Sequence, residues 1–198
     1  MILQADDLPP GFILGEESFG DNGQAAAGSD DREALLEEWG RLLGYDVIYQ
    51  PGSAEALEES PVKGINVSAS LYRTEEGAGD SFADARKTAD TTDWAANYTG
   101  LEQFQQEEIE VGDLADEIVW LHLSGFQPTS SGPNALVTDD LIFFRIDNHR
   151  GFLRVLGSST ETEDRQHLRD TVDGWLRTLV QKVKDALAEG GFNVMESE

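Results

Sequence analysis

Leu136-Val137-Thr138-Asp139-Asp140-Leu141-Ile142-Phe143-Phe144-Arg145-Ile146-Asp147-Asn148-His149-Arg150-Gly151-Phe152-Leu153-Arg154-Val155-Leu156-Gly157 reads as two strands and one tight turn. Leu136 to Asp147 is the outgoing strand and Gly151 to Gly157 the return. Asn148-His149-Arg150-Gly151 suits a type I turn closed by glycine in a bulge. Strands joined this closely pair antiparallel, because a parallel pair needs a crossover of a dozen residues or more.

Working upstream, Phe104 to Val111 and Glu117 to Ser124 are further strands separated by a turn around Gly112-Asp113, and Gln127 to Asn134 is a polar loop. Gly64 to Thr74 is the cleanest alternation in the chain. Ile65, Val67, Ala69 and Leu71 share one face, and Asn66, Ser68, Ser70 and Tyr72 share the other. Between these strands, Gly77 to about Ala96 reads as a helix with Ala78, Phe82, Ala85 and Ala89 inward. Residues 53–62 read as an acidic loop or a short helix. Tyr45 to Tyr49 is a strand, turned by Pro51-Gly52. Before it, Asp30 and Glu33 form a capping box for a helix with the stripe Leu35, Leu36, Trp39, Leu42 and Leu43, which Gly44 stops in the left-handed conformation. Gly20 to Ser29 is a small-residue loop, and Phe12-Ile13-Leu14 a short strand.

Downstream of the hairpin, Glu161 to Glu189 is the most strongly periodic helix. Its stripe is Leu168, Val172, Trp175, Leu176, Leu179, Val183 and Leu187, and Gly190-Gly191 ends it. Runs of hairpin-connected strands with helices between them predict an α+β fold: a mainly antiparallel sheet covered by about three helices. No internal repeat and no long linker divides the chain, so residues 1–198 form a single domain.

The chain holds 39 acidic residues against 14 basic ones, a formal net charge of −25. Nucleic-acid affinity rests on Lys and Arg displacing counterions, and anionic leaflets attract basic segments. Neither nucleic acid nor an anionic membrane surface is an expected partner. Abundant acid with only four lysines fits a protein adapted to high salt, where self-repulsion is screened within roughly 3 Å at molar concentration. The melting temperature is therefore expected to rise between dilute buffer and about 1–2 M salt, where screening is nearly complete. Melts in several salts separate this effect from surface exclusion by ions such as sulfate, and an unchanged or lower melting temperature would count against it. Eight of the bases lie beyond residue 120, namely Arg145, Arg150, Arg154, Arg165, Arg169, Arg177, Lys182 and Lys184. An anionic ligand is expected there if anywhere.

No catalytic motif is present. The absence of cysteine excludes disulfides, thiolate metal sites and cysteine nucleophiles. His122 reads as a sheet residue, His149 as an exposed turn residue and His167 as part of a polar helix flank. No Gly-x-Ser-x-Gly elbow, phosphate loop or dinucleotide fingerprint occurs. Glu107-Glu108, Asp139-Asp140 and Glu163-Asp164 are paired carboxylates, but no calcium-binding loop surrounds any of them. They predict weak, diffuse cation association rather than a dedicated metal site. No cofactor is implied. The rings of Trp39, Tyr45, Tyr49, Tyr72, Trp94, Tyr98, Trp120 and Trp175 are expected mostly in the core, with an apolar pocket between helix and sheet as their alternative use.

Three segments carry a resemblance: Leu8-Pro9-Pro10-Gly11-Phe12, Leu71-Tyr72-Arg73-Thr74-Glu75-Glu76-Gly77-Ala78, and Phe143-Phe144-Arg145-Ile146-Asp147-Asn148 ahead of a hairpin and a final helix. Together they resemble prokaryotic secreted lipoproteins and sensor-like ectodomains with a PsbP-like α+β sandwich. The resemblance implies an extracytoplasmic, often lipid-anchored, non-enzymatic binding or sensing role. Separately, Met1 to Phe12 opens as abruptly as the start of a folded domain, so a leader removed ahead of residue 1 is expected. It supplies no catalytic residues. The lipid-bearing cysteine of such proteins is absent here.

The expected function is thus a non-catalytic extracytoplasmic binding or sensor-like domain, with a small molecule or a protein as partner. The alternatives are a hydrolase using a carboxylate pair in a cleft and a structural or assembly protein. The expected ligand site lies on the polar face of the central strand, at Asn66, Ser68, Ser70 and Tyr72. Arg145 and Arg154 on the neighbouring hairpin would meet an anionic group in two-pronged fashion. The competing use of both arginines is internal pairing with acids such as Asp147 and Asp140.

Overall fold

The structure is a computed structural model that describes residues 2–129, 132–160 and 164–189, without the side chains of 164 and 165. Seven strands form one sheet: β1 (Phe12–Gly20), β2 (Arg41–Pro51), β3 (Val62–Tyr72), β4 (Glu102–Ile109), β5 (Glu117–Gln127), β6 (Ala135–Ile146) and β7 (His149–Ser159). Their order is β1-β2-β3-β7-β6-β5-β4, and every neighbouring pair is antiparallel. The helices are α1 (Asn22–Ala25), α2 (Asp30–Glu38), α3 (Ala54–Glu59), α4 (Glu75–Thr91), α5 (Trp94–Asn97) and α6 (Asp164–Ala188). This is the expected α+β class, with α2, α4 and α6 as the long helices.

Strand alternation gives the sheet two apolar faces, and one helix covers each. Val67, Leu153, Ile142 and Trp120 share one face and pack with Leu168, Val172, Trp175, Leu176, Leu179 and Val183 of α6. Val119, Leu121, Leu123 and Leu141 share the other and pack with Phe82 and Ala89 of α4. Ala78, Phe82, Ala85 and Ala89 are all buried, as the helical period requires. Helix α4 starts where Thr74 Oγ1 accepts from the Gly77 amide at 3.1 Å, and it ends at Thr91, five residues before the expected limit. On the α6 face the Phe144 ring lies over the backbone of Gly151. A Cβ there would sit 2.0 Å from Phe144 Cζ, so only glycine lets the ring lie flat on the strand.

Several boundaries differ from the sequence reading. Strand β1 runs on to Gly20, and α1 interrupts the small-residue loop after it. The cap of α2 is Ser29, whose Oγ accepts from the Arg32 amide, rather than Asp30. Gly40, at φ 67°, is the left-handed residue that ends this helical segment. Leu42, Leu43 and Gly44 therefore belong to β2, and both leucines are exposed. An i, i+3, i+4 apolar spacing continued past the true stop, and nothing in the local pattern marked Gly40 over Gly44.

The β6–β7 turn is also tighter than expected. Ile146 pairs directly with His149, so the loop is Asp147-Asn148 alone, with Asp147 at φ 49°. His149 is consequently a strand residue, only 1 % exposed, and not an exposed turn residue. Gly190-Gly191, the expected end of α6, lies outside the described residues, as does Glu163. Among the described residues, no helix is long and apolar enough to cross a membrane.

Candidate functional site

The α6 face stops being apolar beyond Trp120 and Ile142. Two cross-strand rows there are polar. Glu107, His122 and Asp140 align across β4, β5 and β6, and Gln105, Ser124 and Thr138 form the next row. All six side chains line a cleft of about 250 Å³ beneath the first turns of α6, which adds Gln166 and Arg169. Leu136 and Leu168 supply its apolar lining.

At the floor, Asp140 has 3 % of its side chain exposed and His122 has 16 %. A buried carboxylate is stable only when hydrogen-bonded. Here Oδ1 accepts from Trp120 Nε1 at 2.7 Å and from His122 Nδ1 at 2.8 Å. A carboxylate is acceptor-only, so His122 Nδ1 carries a proton and donates to it, and Nε2 takes no part in this bond. Above the floor, Arg169 Nη2 donates to Glu107 Oε2 at 3.0 Å, joining α6 to the edge strand. Both partners of this pair are exposed, so it is worth only about 0–1 kcal/mol and does not seal the cleft.

The remaining polar groups have unused hydrogen-bonding capacity. Among the described residues, His122 Nε2, Ser124 Oγ, Thr138 Oγ1 and the Gln105 amide have no protein partner. Gln166 uses only its Nε2, on Asp170 at 2.8 Å. Four strand and helix elements thus bring donors and acceptors that have no protein partner to one cleft, over a rigid buried pair.

The residues expected to bind a ligand lie on the opposite face of the sheet. Asn66, Ser68 and Ser70 sit across from Arg154, Phe152 and Arg150 in the β3–β7 register. The register brings Asn66 and Arg154 together but puts Arg145 at the far end, opposite Arg150. Ser70 Oγ accepts from Arg41 Nε at 3.2 Å. Tyr72 is fully buried, its hydroxyl 2.6 Å from Ser81 Oγ. The two arginines are held by acids, though not mainly those expected. Arg145 donates to Glu117 and Asp116 at 2.5 and 3.3 Å, and reaches Asp147 only at its carbonyl oxygen. Arg154 grips Asp139 in two-pronged fashion, Nε to Oδ1 at 3.0 Å and Nη2 to Oδ2 at 2.7 Å. The Tyr98 hydroxyl also donates to Oδ2 of Asp139. Burial and this bond push the Tyr98 hydroxyl up to about 12. Asn66 Oδ1 is buried with no partner among the described residues.

Alternation also separates the paired carboxylates. Asp139 points to the α4 face and its Arg154 partner, while Asp140 points to the α6 face and His122. Glu107 meets Arg169 on one face and Glu108 meets Arg86 on the other. Among the described residues, no group of three or more His, Asp or Glu side chains is placed to hold a metal ion.

No protein-family model and no curated protein matches the sequence. Among solved structures, the chain is similar to the extracellular domain of PknH from Mycobacterium tuberculosis, with a TM-score of 0.50 and 10 % sequence identity. The likeness covers 91 % of this chain and 93 % of that one. At this identity it is a likeness of fold.

Proposed function

We propose that this protein is a non-catalytic, extracytoplasmic binding or sensor-like domain, and that the cleft over His122 and Asp140 is its ligand site. The observation that carries the reading is the convergence in that cleft of polar groups with no protein partner, since small-molecule sites combine a concave surface with a few directional polar contacts. A fold shared over nearly the whole length with an extracellular domain supports the compartment. The excess of acid supports a salty milieu and argues against nucleic acid and anionic lipid as partners. The carboxylates of the cleft support binding over hydrolysis by a carboxylate pair, because Asp140 is committed to Trp120 and His122, and Glu107 to Arg169.

Titration of a mixed small-molecule fragment panel, followed by protein NMR, tests this. Shifts are expected to cluster on Gln105, His122, Ser124, Thr138 and the start of α6, and to vanish in Ser124→Trp, which fills the cleft. The compounds should be recovered unchanged. Shifts clustered elsewhere, or turnover that depends on His122, would defeat the reading.

A further inference from the structure

We infer that the cleft takes a neutral polyhydroxylated ligand, of the size and chemistry of a monosaccharide, an inference that rests on the cleft being the binding site. The argument starts from charge. The ionisable groups lining the cavity meet each other inside it, His122 with Asp140 at 2.8 Å and Arg169 with Glu107 at 3.0 Å. Among the described residues, no lone cation in the cleft faces an incoming anion and no unpaired carboxylate side chain faces a cation, and a chain at −25 repels an anion at long range.

The groups left over define the chemistry. Ser124 and Thr138 offer hydroxyls, Gln105 and Gln166 offer amide oxygens, and His122 offers its Nε2. Hydroxyls and a primary amide both donate and accept, which matches a ligand whose own groups are hydroxyls. A donor-only or acceptor-only ligand would leave some of these groups unpaired, and an unpaired group in a desolvated site is costly. Leu136 and Leu168 face the same space and suit the C–H face that a sugar ring presents beside its hydroxyls. Size agrees: sites for drug-sized molecules run from about 300 Å³ upward, and about 250 Å³ suits something smaller.

Isothermal titration and NMR with neutral sugars (glucose, galactose, mannose, trehalose) against glucuronate and galacturonate test the inference on the full chain. At least one neutral sugar is expected to bind at millimolar concentration, with shifts at His122, Ser124 and Thr138. Ser124→Ala and Thr138→Val, each of which removes one hydroxyl, should weaken it about three- to tenfold. Arg86→Gln, which removes a guanidinium from the opposite face of the sheet, should leave its affinity unchanged. Preference for the uronates, with loss of their binding in Arg169→Gln, would overturn the neutral-ligand inference and leave the site in place. Absence of all sugar binding while the fragment panel still perturbs the cleft would do the same. Silence of the cleft toward both panels would overturn the site itself.

Discussion

Trp175→Ala is expected to cost about 3–5 kcal/mol of stability, the range for deleting a large ring from a packed core. Trp175 is 7 % exposed and belongs to the cluster that α6 makes with the sheet. Its neighbours on the helix, Val172, Leu176 and Leu179, are each at most 1 % exposed. They are fixed by their own contacts with the sheet and cannot collapse fully into the space the indole leaves, and incomplete collapse is what adds a cavity cost to the transfer cost. The loss should be read from the midpoint of urea melts, with the slope unchanged if the two states keep their exposed areas. A loss below about 1 kcal/mol, well short of that range, would show that α6 is not a core helix and would remove the roof of the cleft from its place.

The sheet and the helices α4 and α6 were legible because each carries a period that only one arrangement satisfies. The alternation from Gly64 holds as far as Tyr72, where β3 ends two residues short of the expected Thr74, and Ile65, Val67 and Leu71 of its apolar face are buried, although Tyr72 is buried on the other face as well. The stripe from Leu168 to Val183 recurs at helical spacing and meets the α6 face of the sheet. Where the sequence misled, two signals overlapped. The leucines at 42 and 43 fit a helical stripe and also start β2, and the choice was made by Gly40, which nothing local set apart. The site was harder to see for a different reason. His122, Asp140, Ser124 and Thr138 come from two strands, and only the β5–β6 register aligns them. One local sign did exist: polar residues occupy successive same-face positions, Thr138 and Asp140 in β6 and His122 and Ser124 in β5, where the strand period calls for apolar side chains. Reading Asp139-Asp140 as a pair hid it, since adjacent strand residues point apart. The arginines misled in the opposite way. In a chain this acidic, guanidinium groups near a sheet find carboxylates within the protein, and Arg145 and Arg154 both did.

Acidification should destabilise the protein through His149. The ring is 1 % exposed, stands beside Phe144 with 6.4 Å between ring centroids, and has no hydrogen-bond partner for either nitrogen among the described residues. Burial pushes its pKa from 6.5 down to about 4. The native ring therefore stays neutral over a range in which the unfolded chain takes up a proton. Because the unfolded state binds more protons there, stability falls as pH falls, beginning near 6.5 and complete near 4. The full displacement corresponds to about 3 kcal/mol. Carboxylates that protonate in the same window relieve self-repulsion and act in the opposite direction, so the wild-type profile alone does not isolate the effect. His149→Leu does. It keeps the volume, removes both unpaired nitrogens, and should raise stability at pH 8 by about 1 kcal/mol or more, since a buried unsatisfied polar group costs about 1–3 kcal/mol. Its advantage over wild type should then widen by most of those 3 kcal/mol between pH 8 and pH 4.5. Urea melts of both proteins across that range measure the difference. Parallel profiles would mean that the imidazole is not held neutral in the native state, and that the end of the β6–β7 hairpin is open to water.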